Sequence, residues 1–420
     1  MNEKNYDEIR YRRLAFTLFD KGKSPINILT RIPRSRAWLF KWKQRFEQDG
    51  WQALDSLSTA PHHSPQQYSA EAVSLILRVR QRLEKSTVGL VSARAIQQQL
   101  LRLRLMNSPP SQTTIKRWLR RAGLIGAVVE PDKETYYPAL PPEDEFVTFS
   151  CDWVARYLTG GEKVFVFHTI DLETHALQQT IRADKSTHST CEHLLAACAE
   201  LGRPDFLQLD NDAAFTGLGR HRRVFGQFVR TALYLGIELI FIPPAEPQRN
   251  HVVERVNGLW VSSFWEKDHF ASRRELLRKS PKFLAWYETY VPPALGGLSI
   301  SQATRRRRPR RHKLLRRQIA QLPQELPLTC GRIHFIRRVN EQGEINILKE
   351  QWKASRSLSG QYVWATLDTR RKKLFIYHRR SARAQPWLIR QYAYEIDAHV
   401  ASLRPEYQRR ARRVDILKII

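Results

Sequence analysis

FVTFSCDWVARYLTGGEKVFVFHTIDLETHALQQTI, residues 146–181, is where the period of this chain changes from helical to extended. FVTFSCD (146–152) and KVFVFHTIDL (163–172) are rich in β-branched and aromatic residues, and Thr159-Gly160-Gly161 between them is a turn signal. Ala176 to Ile181 gives a third strand. A helix is expected over Ser186 to Leu201, then a short buried strand over Phe206 to Leu209, a helix from about Gly219 to Leu235, a strand over Ile237 to Ile242 and a helix over Asn250 to Trp265. Three strands followed by alternating helix and strand describe an α/β sheet with helices on both faces.

Upstream the period is helical. Ile9 to Asp20 reads as a helix with Leu14, Leu18 and Phe19 on one side. A second begins at Pro25, a favoured first-turn position, and a third runs from Arg36 to Phe46. Arg34, Arg36, Lys41, Lys43 and Arg45 line that third helix, with Trp38, Leu39, Trp42 and Phe46 left for packing. Ala70 to Lys85, Ser92 to Leu103 and Gln112 to Ala122 repeat the plan, with Ser111 as N-cap and Gly123 as terminator. Here Lys116, Arg117, Arg120 and Arg121 stand opposite Ile115, Trp118 and Leu119. Each trio has the layout of a helix-turn-helix whose last helix reads DNA; a plain charged three-helix bundle is the alternative.

Downstream, Arg305 to Arg317 (RRRRPRRHKLLRR) is nearly all basic, and Arg305, Arg306, Arg307, Arg308, Arg310 and Arg311 are candidate phosphate contacts. Short strands over 329–378 then suggest a small barrel, and 387–420 ends in helix-like sequence, with a basic amphipathic tail over Arg404 to Ile420.

The 420 residues carry a formal charge of +29, and 42% are hydrophobic, which excludes a disordered polycation. Net charge is +9 over 1–145, −3 over 146–270 and +23 over 271–420. A near-neutral centre between basic flanks fits a carboxylate centre held against a polyanion. No run approaches the ~18–20 apolar residues of a membrane helix, and MNEKNYDEIR has no signal-peptide core. Cys151, Cys191, Cys198 and Cys330 form no CxxC pair, so a zinc site of that type and a disulfide scaffold are not expected.

Three acids stand out. Asp152 is expected to end the first strand and Asp210 the fourth, in Leu209-Asp210-Asn211-Asp212. Glu254 falls early in a helix, in Pro247-Gln248-Arg249-Asn250-His251-Val252-Val253-Glu254-Arg255. Taken singly, each is an ordinary turn residue. Together, at the ligand-binding ends of an α/β sheet, they can hold hard divalent cations.

The letters around them resemble the DDE transposase and retroviral-integrase superfamily. Its Asp followed by an aromatic corresponds to Cys151-Asp152-Trp153, and its Asp-Asn-Gly to Asp210-Asn211-Asp212. Its Pro-Gln-x-Asn-Gly-x-Val-Glu-Arg corresponds to Pro247 to Arg255, and its Leu-Gly-x-x-[Thr/Ser]-Pro-x-x-Ala to Leu295 to Ala303. Asp212 and His251 each replace a glycine, and the 44 positions from Asp210 to Glu254 exceed the family's usual spacing, with the excess assigned to Thr216 to Arg223. Asp171 has no role in the family pattern and reads as structural.

The resemblance, closest to integrase-core insertion-sequence or Mu-like transposases, implies a multidomain α+β protein. Helix-turn-helix units are expected at 1–54 and 68–125, a linker at 126–145 and a ribonuclease-H-like α/β catalytic core at 146–304. A basic linker would follow at 305–323, a small β-barrel at 324–384 and a basic tail at 385–420. It implies two Mg²⁺ per site, with Mn²⁺ as substitute, on Asp152, Asp210 and Glu254 as catalytic residues and metal ligands. The implied activity is 3′-end cleavage and strand transfer. Implied partners are element-end and target DNA, further copies of the chain (a dimer or tetramer) and an AAA+ ATPase for target selection. The expected location is the bacterial cytoplasm, at the nucleoid, with no membrane partner. A DNA-binding regulator that no longer cuts, and a nuclease that cuts without joining, are the alternatives.

Overall fold

A computed structural model describes residues 3–55, 68–125, 135–138, 140, 146–217, 223–306 and 312–408. It divides into two compact units, Met1–Ala72 and Val73–Ile420. The first is built on α1 (Glu3–Asp20), α2 (Pro25–Leu29) and α3 (Arg36–Asp49). Ser24 and Ser35 cap α2 and α3, accepting from the amides of Asn27 and Trp38, and Pro25 occupies the first turn as expected. Helix α1 begins earlier than the periodicity indicated. Leu14, expected inward, is 41% exposed, while Ala15 and Phe16 are buried and Phe16 stacks on Phe46.

In the second unit α4 (Ala70–Glu84), α5 (Ala93–Arg102) and α6 (Gln112–Arg121) enclose Ile76, Ile96, Leu100, Ile115 and Leu119. Ser111 caps α6, and Gly123 follows at φ 69°, where a side chain would be strained. The segment between α4 and α5 is tied to the rest of the unit. Gly89 N–H donates to Ser263 O, and Lys267 Nζ donates to the carbonyls of Leu83 and Ser86.

The remainder is a mixed α/β structure. Its first strands are β1 (Thr148–Tyr157), β2 (Lys163–Asp171), β3 (Leu177–Arg182), β4 (Phe206–Leu209) and β5 (Glu238–Phe241). Helices α7 (Thr187–Glu200), α8 (Ala213–Thr216) and α9 (Gln227–Tyr234) fall between β3 and β5, and α10 (His251–Ser263), α11 (Arg273–Thr289), α12 (Ile300–Arg306) and α13 (Arg316–Ala320) follow them. Then come β6 (Leu328–Thr329), β7 (Arg332–Arg338), β8 (Glu344–Ile347), β9 (Glu350–Lys353), β10 (Tyr362–Asp368), β11 (Lys373–His378), β12 (Trp387–Ala393) and β13 (Val400–Ala401). Strands β1–β3 form an antiparallel meander, and β4 and β5 add in parallel beyond β1. Helices α7 and α9 cover one face through Leu194, Cys198, Phe228 and Ala232. Helices α10 and α11 cover the other over the meander, through Val253, Val256, Trp260, Leu276 and Phe283.

The strands expected to form a separate barrel instead continue this sheet. β7 lies parallel to β5, giving nine strands in the order β12-β11-β10-β7-β5-β4-β1-β2-β3. Among the described residues β12 has only β11 as sheet partner, so the added strands do not close on themselves. The cause is side-chain continuity. Ile333 and Phe335 extend the buried row of Leu239 and Phe241, and Ile336 extends the opposite face from Ile240. An alternating strand satisfies a barrel and a sheet extension equally, so its partner is not locally encoded. The edge of β5 would otherwise present unpaired backbone.

Two narrower corrections follow. Residues 387–393, assigned to the C-terminal tail, form β12, paired antiparallel with β11. Helix α9 starts at Gln227, not Gly219. The chain pinches just before it: a Cβ on Gly217 (φ 59°) would lie 2.4 Å from Gly226 Cα. That contact closes the base of the segment assigned the extra Asp210–Glu254 spacing, of which 218–222 lie outside the described residues. Asp171 is a turn residue, accepting from Glu173 N–H and Thr174 Oγ.

Phe335 is fully buried and stacks on Phe241 at 5.3 Å between ring centres. Phe335→Ala is expected to lower the urea-unfolding free energy of the whole sheet by about 3–5 kcal/mol. A C-terminal transition that melts separately, leaving the β1–β5 transition unmoved, would contradict the join.

Candidate active site

Asp152 does not end its strand. It sits mid-way along β1, opposite His168 of β2. The parallel pairing of β1 with β4 stops at Ser150, however, so Asp152 lies just beyond the end of the β1–β4 ladder. From there β1 runs on as an antiparallel ribbon with β2, which lengthens the strand past the point where the sheet opens. Asp210 directly follows β4, and Glu254 stands in the first turn of α10, where the helix dipole favours an anion.

A buried carboxamide brings these elements together. Asn250, 2% exposed, immediately precedes α10. Its Oδ1 accepts from Ser150 Oγ of β1 and from Gln208 Nε2 of β4 at 3.0 Å, and its Nδ2 donates to Cys151 O at 3.3 Å. Gln208 also donates to Arg249 O at 3.2 Å. Helix α10 is thereby pinned across both strands beside the two aspartates.

The carboxylates act on one another. Burial first, then the negative charges of Asp210 and Glu254, push Asp152 from 3.8 up to about 7, against stabilising bonds from Trp153 N–H and Asn257. Asp210 is raised too, by burial first, then by Asp212 and Glu254, while Lys185 opposes the shift. Among the described residues no three His, Cys, Asp or Glu side chains close into a ready-made ligand set. The donor chemistry still fits a hard divalent cation: three oxygen donors from three elements, whose shared excess of negative charge a cation would relieve.

Two site residues were missed by sequence reasoning. Asn257 Nδ2 donates to Asp152 Oδ2 at 2.8 Å, and Asn257 Oδ1 receives the Nδ1 proton of His168 at 2.6 Å. His168 is fully buried among Trp260 and Phe283, and burial pushes it down to about 4, so the neutral ring fixes the carboxamide, which fixes the carboxylate. The available signal was spacing: Asn257 lies three residues after Glu254, on the same helix face.

Asp212 is otherwise engaged. Its Oδ1 accepts from Ala214 N–H as the cap of α8, and its Oδ2 pairs with Lys185 Nζ at 2.7 Å. Lys185 also lies over the Trp153 ring, at 4.3 Å from its centre.

The candidate DNA contacts divide. Arg36, Lys41 and Arg45 are exposed on α3. Lys43 pairs with Glu47, and Arg34 is held by Glu8 over the Tyr11 ring. Lys116, Arg117, Arg120 and Arg121 are exposed on α6, as are Arg305 and Arg306 at the end of α12. Arg307, Arg308, Arg310 and Arg311 lie outside the described residues. All four cysteines are free, and no described helix is long and apolar enough to cross a membrane.

No family model matches the chain. Among solved structures it is similar to the trimeric form of the HTLV-2 integrase catalytic core domain in complex with magnesium, at 17% identity and a TM-score of 0.27, over 37% of this chain and 95% of that one. The dimeric form gives 17% and 0.28, over 37% and 94%. A simian T-cell lymphotropic virus intasome in complex with PP2A regulatory subunit B56 gamma gives 15% and 0.26, over 75% and 96%.

The raised Asp152 value sets a pH signature. The folded chain holds this proton up to about pH 7 and the unfolded chain only to about 4. The group's contribution to stability is therefore complete below about pH 4 and is lost as pH rises through about 7. In the cation-free protein, Asp152→Asn should flatten the fall in the denaturation midpoint across that window. A wild-type midpoint no more pH-dependent than the variant's would contradict the shift.

Proposed function

We propose that this chain is a DNA transposase of the DDE type, which frees the 3′ ends of its element and joins them to target DNA. One observation carries the reading. Three carboxylates, from mid-β1, the turn after β4 and the first turn of α10, sit on elements that the Asn250 carboxamide pins together at the open end of the β1–β4 ladder. They are also the three acids whose flanking letters resemble that superfamily. Strands β1–β5 have the order and directions of a ribonuclease-H-like sheet, an antiparallel meander with two parallel additions, which agrees with it.

Asp152, Asp210 and Glu254 would hold the divalent cations. When bound, these supply charge neutralisation at the phosphate and activation of the attacking oxygen. The chain's own residues do the positioning. Asn257 orients Asp152 through the bond to its Oδ2. Asn250 sets the distance of Glu254 from both aspartates. Lys185 keeps Asp212 out of the ligand set and leaves Asp210 as the carboxylate nearest β4. In the first reaction a water oxygen bonds to phosphorus at the element end, the bond to the element's 3′ oxygen breaks, and that oxygen leaves as a 3′-OH. In the second, the 3′-OH bonds to a target phosphorus and a target 3′-OH leaves. Each step exchanges one P–O bond for another, so geometry and electrostatics account for most of what the protein contributes.

Exposed cations on α3 and α6 would read the element ends from two helical units, with Arg305 and Arg306 adding backbone contact. Pairing two ends calls for at least two copies of the chain.

The test is a cleavage and joining assay with Mg²⁺ or Mn²⁺ on DNA carrying the ends of the chain's own element. Asp152→Asn, Asp210→Asn and Glu254→Gln should each lose about 10²–10³-fold or more in rate, on the scale of removing one electrostatic stabiliser. Asp212→Asn keeps a capping side chain and should remain within about tenfold of wild type. Chelation with EDTA should abolish both products. Cleavage without joined product would favour a nuclease, and end binding with neither product a regulator.

A further inference from the structure

Arg337 of β7 is 5% exposed, and no carboxylate is among its partners in the described residues. Its Nε donates to Asn346 O and its Nη1 to the carbonyls of Phe241, Ile242 and Ile336, at 2.8–3.3 Å. Its Nη2 donates to Asn211 Oδ1 at 2.7 Å, and Asn211 Nδ2 donates to Ile242 O at 2.6 Å. Asn211 follows Asp210, whose Oδ1 accepts from Asp212 N–H. The guanidinium thus brackets the end of β5 to the turn that carries Asp210.

A second bracket comes from the neighbouring strand. Tyr362 of β10 donates through its hydroxyl to Glu246 Oε2 at 2.6 Å and accepts from Arg249 Nη2 at 3.2 Å. The Arg249 guanidinium lies against the rings of both Tyr137 (4.3 Å) and Tyr362 (5.2 Å) and donates through Nε to Glu246 at 3.1 Å. Arg249 is followed by Asn250, which sets α10 and Glu254.

We propose that β7 and β10, strands beyond the catalytic core, position the carboxylate site at two points, Arg337 through Asn211 on the Asp210 turn and Tyr362 through Glu246 and Arg249 on the approach to Glu254. Arg337 and Tyr362 are positioning residues, and the C-terminal strands are a working part of the site. This rests on the reading of the site given above. Stability alone does not call for such an arginine, because well-packed apolar groups commonly replace buried ionic ones without loss. Its five bonds are directional: four fix the guanidinium on backbone carbonyls, and the fifth reaches Asn211 on the turn that carries Asp210. Burial pushes its guanidinium down to about 10, the mark of a charge kept at a desolvation cost.

Amide hydrogen exchange on the full chain tests the proposal without needing activity. Arg337→Lys, which cannot reproduce the planar fork, should speed exchange about tenfold or more over residues 209–217. Tyr362→Phe, which keeps the ring, should do the same over 244–252. Each variant should leave the other's segment, and β2, within about twofold. Unchanged segments, or uniform acceleration of the sheet, would overturn the proposal. If Arg337→Lys fails to fold, Asn211→Ala reads the same arm and leaves the guanidinium its four carbonyls. In the joining assay both variants should lower the rate at saturating DNA, about tenfold for Arg337→Lys, with end-DNA affinity within about twofold. A loss confined to affinity would also overturn it. If wild type neither cleaves nor joins, the transposase reading fails, and the exchange result still decides the positioning.

Discussion

The carboxamide of Asn250 is the constraint on which the site depends. It is nearly sealed from water, and it divides its hydrogen bonds between Ser150 and Cys151 of β1 and Gln208 of β4. Buried amide groups are costly unless satisfied, so this arrangement admits few alternatives. Helix α10 can start in one place only, across the ends of two parallel strands. Glu254 stands a turn later on that helix. Burial first, and then the charges of Asp210 and Glu254, oppose the ionised form of Asp152 in the folded chain. Neutral hydrogen bonds and the apolar cover of Val253, Val256 and Trp260 on the meander hold the helix there.

Around that hub lies a second ring of support, also neutral or cationic. His168 and Asn257 orient Asp152. Lys185 occupies Asp212. Arg337 and Tyr362 reach in from the C-terminal strands. A site of this kind is preorganised by its surroundings.

Much of this was legible in the sequence, for physical reasons that can be named. Ser111 announces the start of α6 because a hydroxyl satisfies a free amide locally. The strand Phe206–Leu209 and the acid that follows it were readable because a short apolar run ended by Asp is a local pattern. The failures were non-local. Asp152 was placed at a strand end because nothing in CDWVARY says how far β2 will accompany it. The strands after 328 were read as a barrel because alternation does not name a partner. WLIRQYA falls in the segment assigned to the tail, yet pairing with β11 makes it a strand. Arg337 was overlooked because Arg337-Arg338 looks like a solvated pair. Only the parallel docking of β7 on β5 buries the first and leaves the second exposed.

The central claim is that Asp152, Asp210 and Glu254 together form one divalent-cation site. The most direct measurement is an anomalous-diffraction map of crystals of the full chain grown with Mn²⁺. Manganese peaks are expected among those three carboxylates, with Asp212 still on Lys185 and Asn257 still on Asp152. Manganese held by Asp212, or an absence of any peak among the three acids at saturating Mn²⁺, would contradict it.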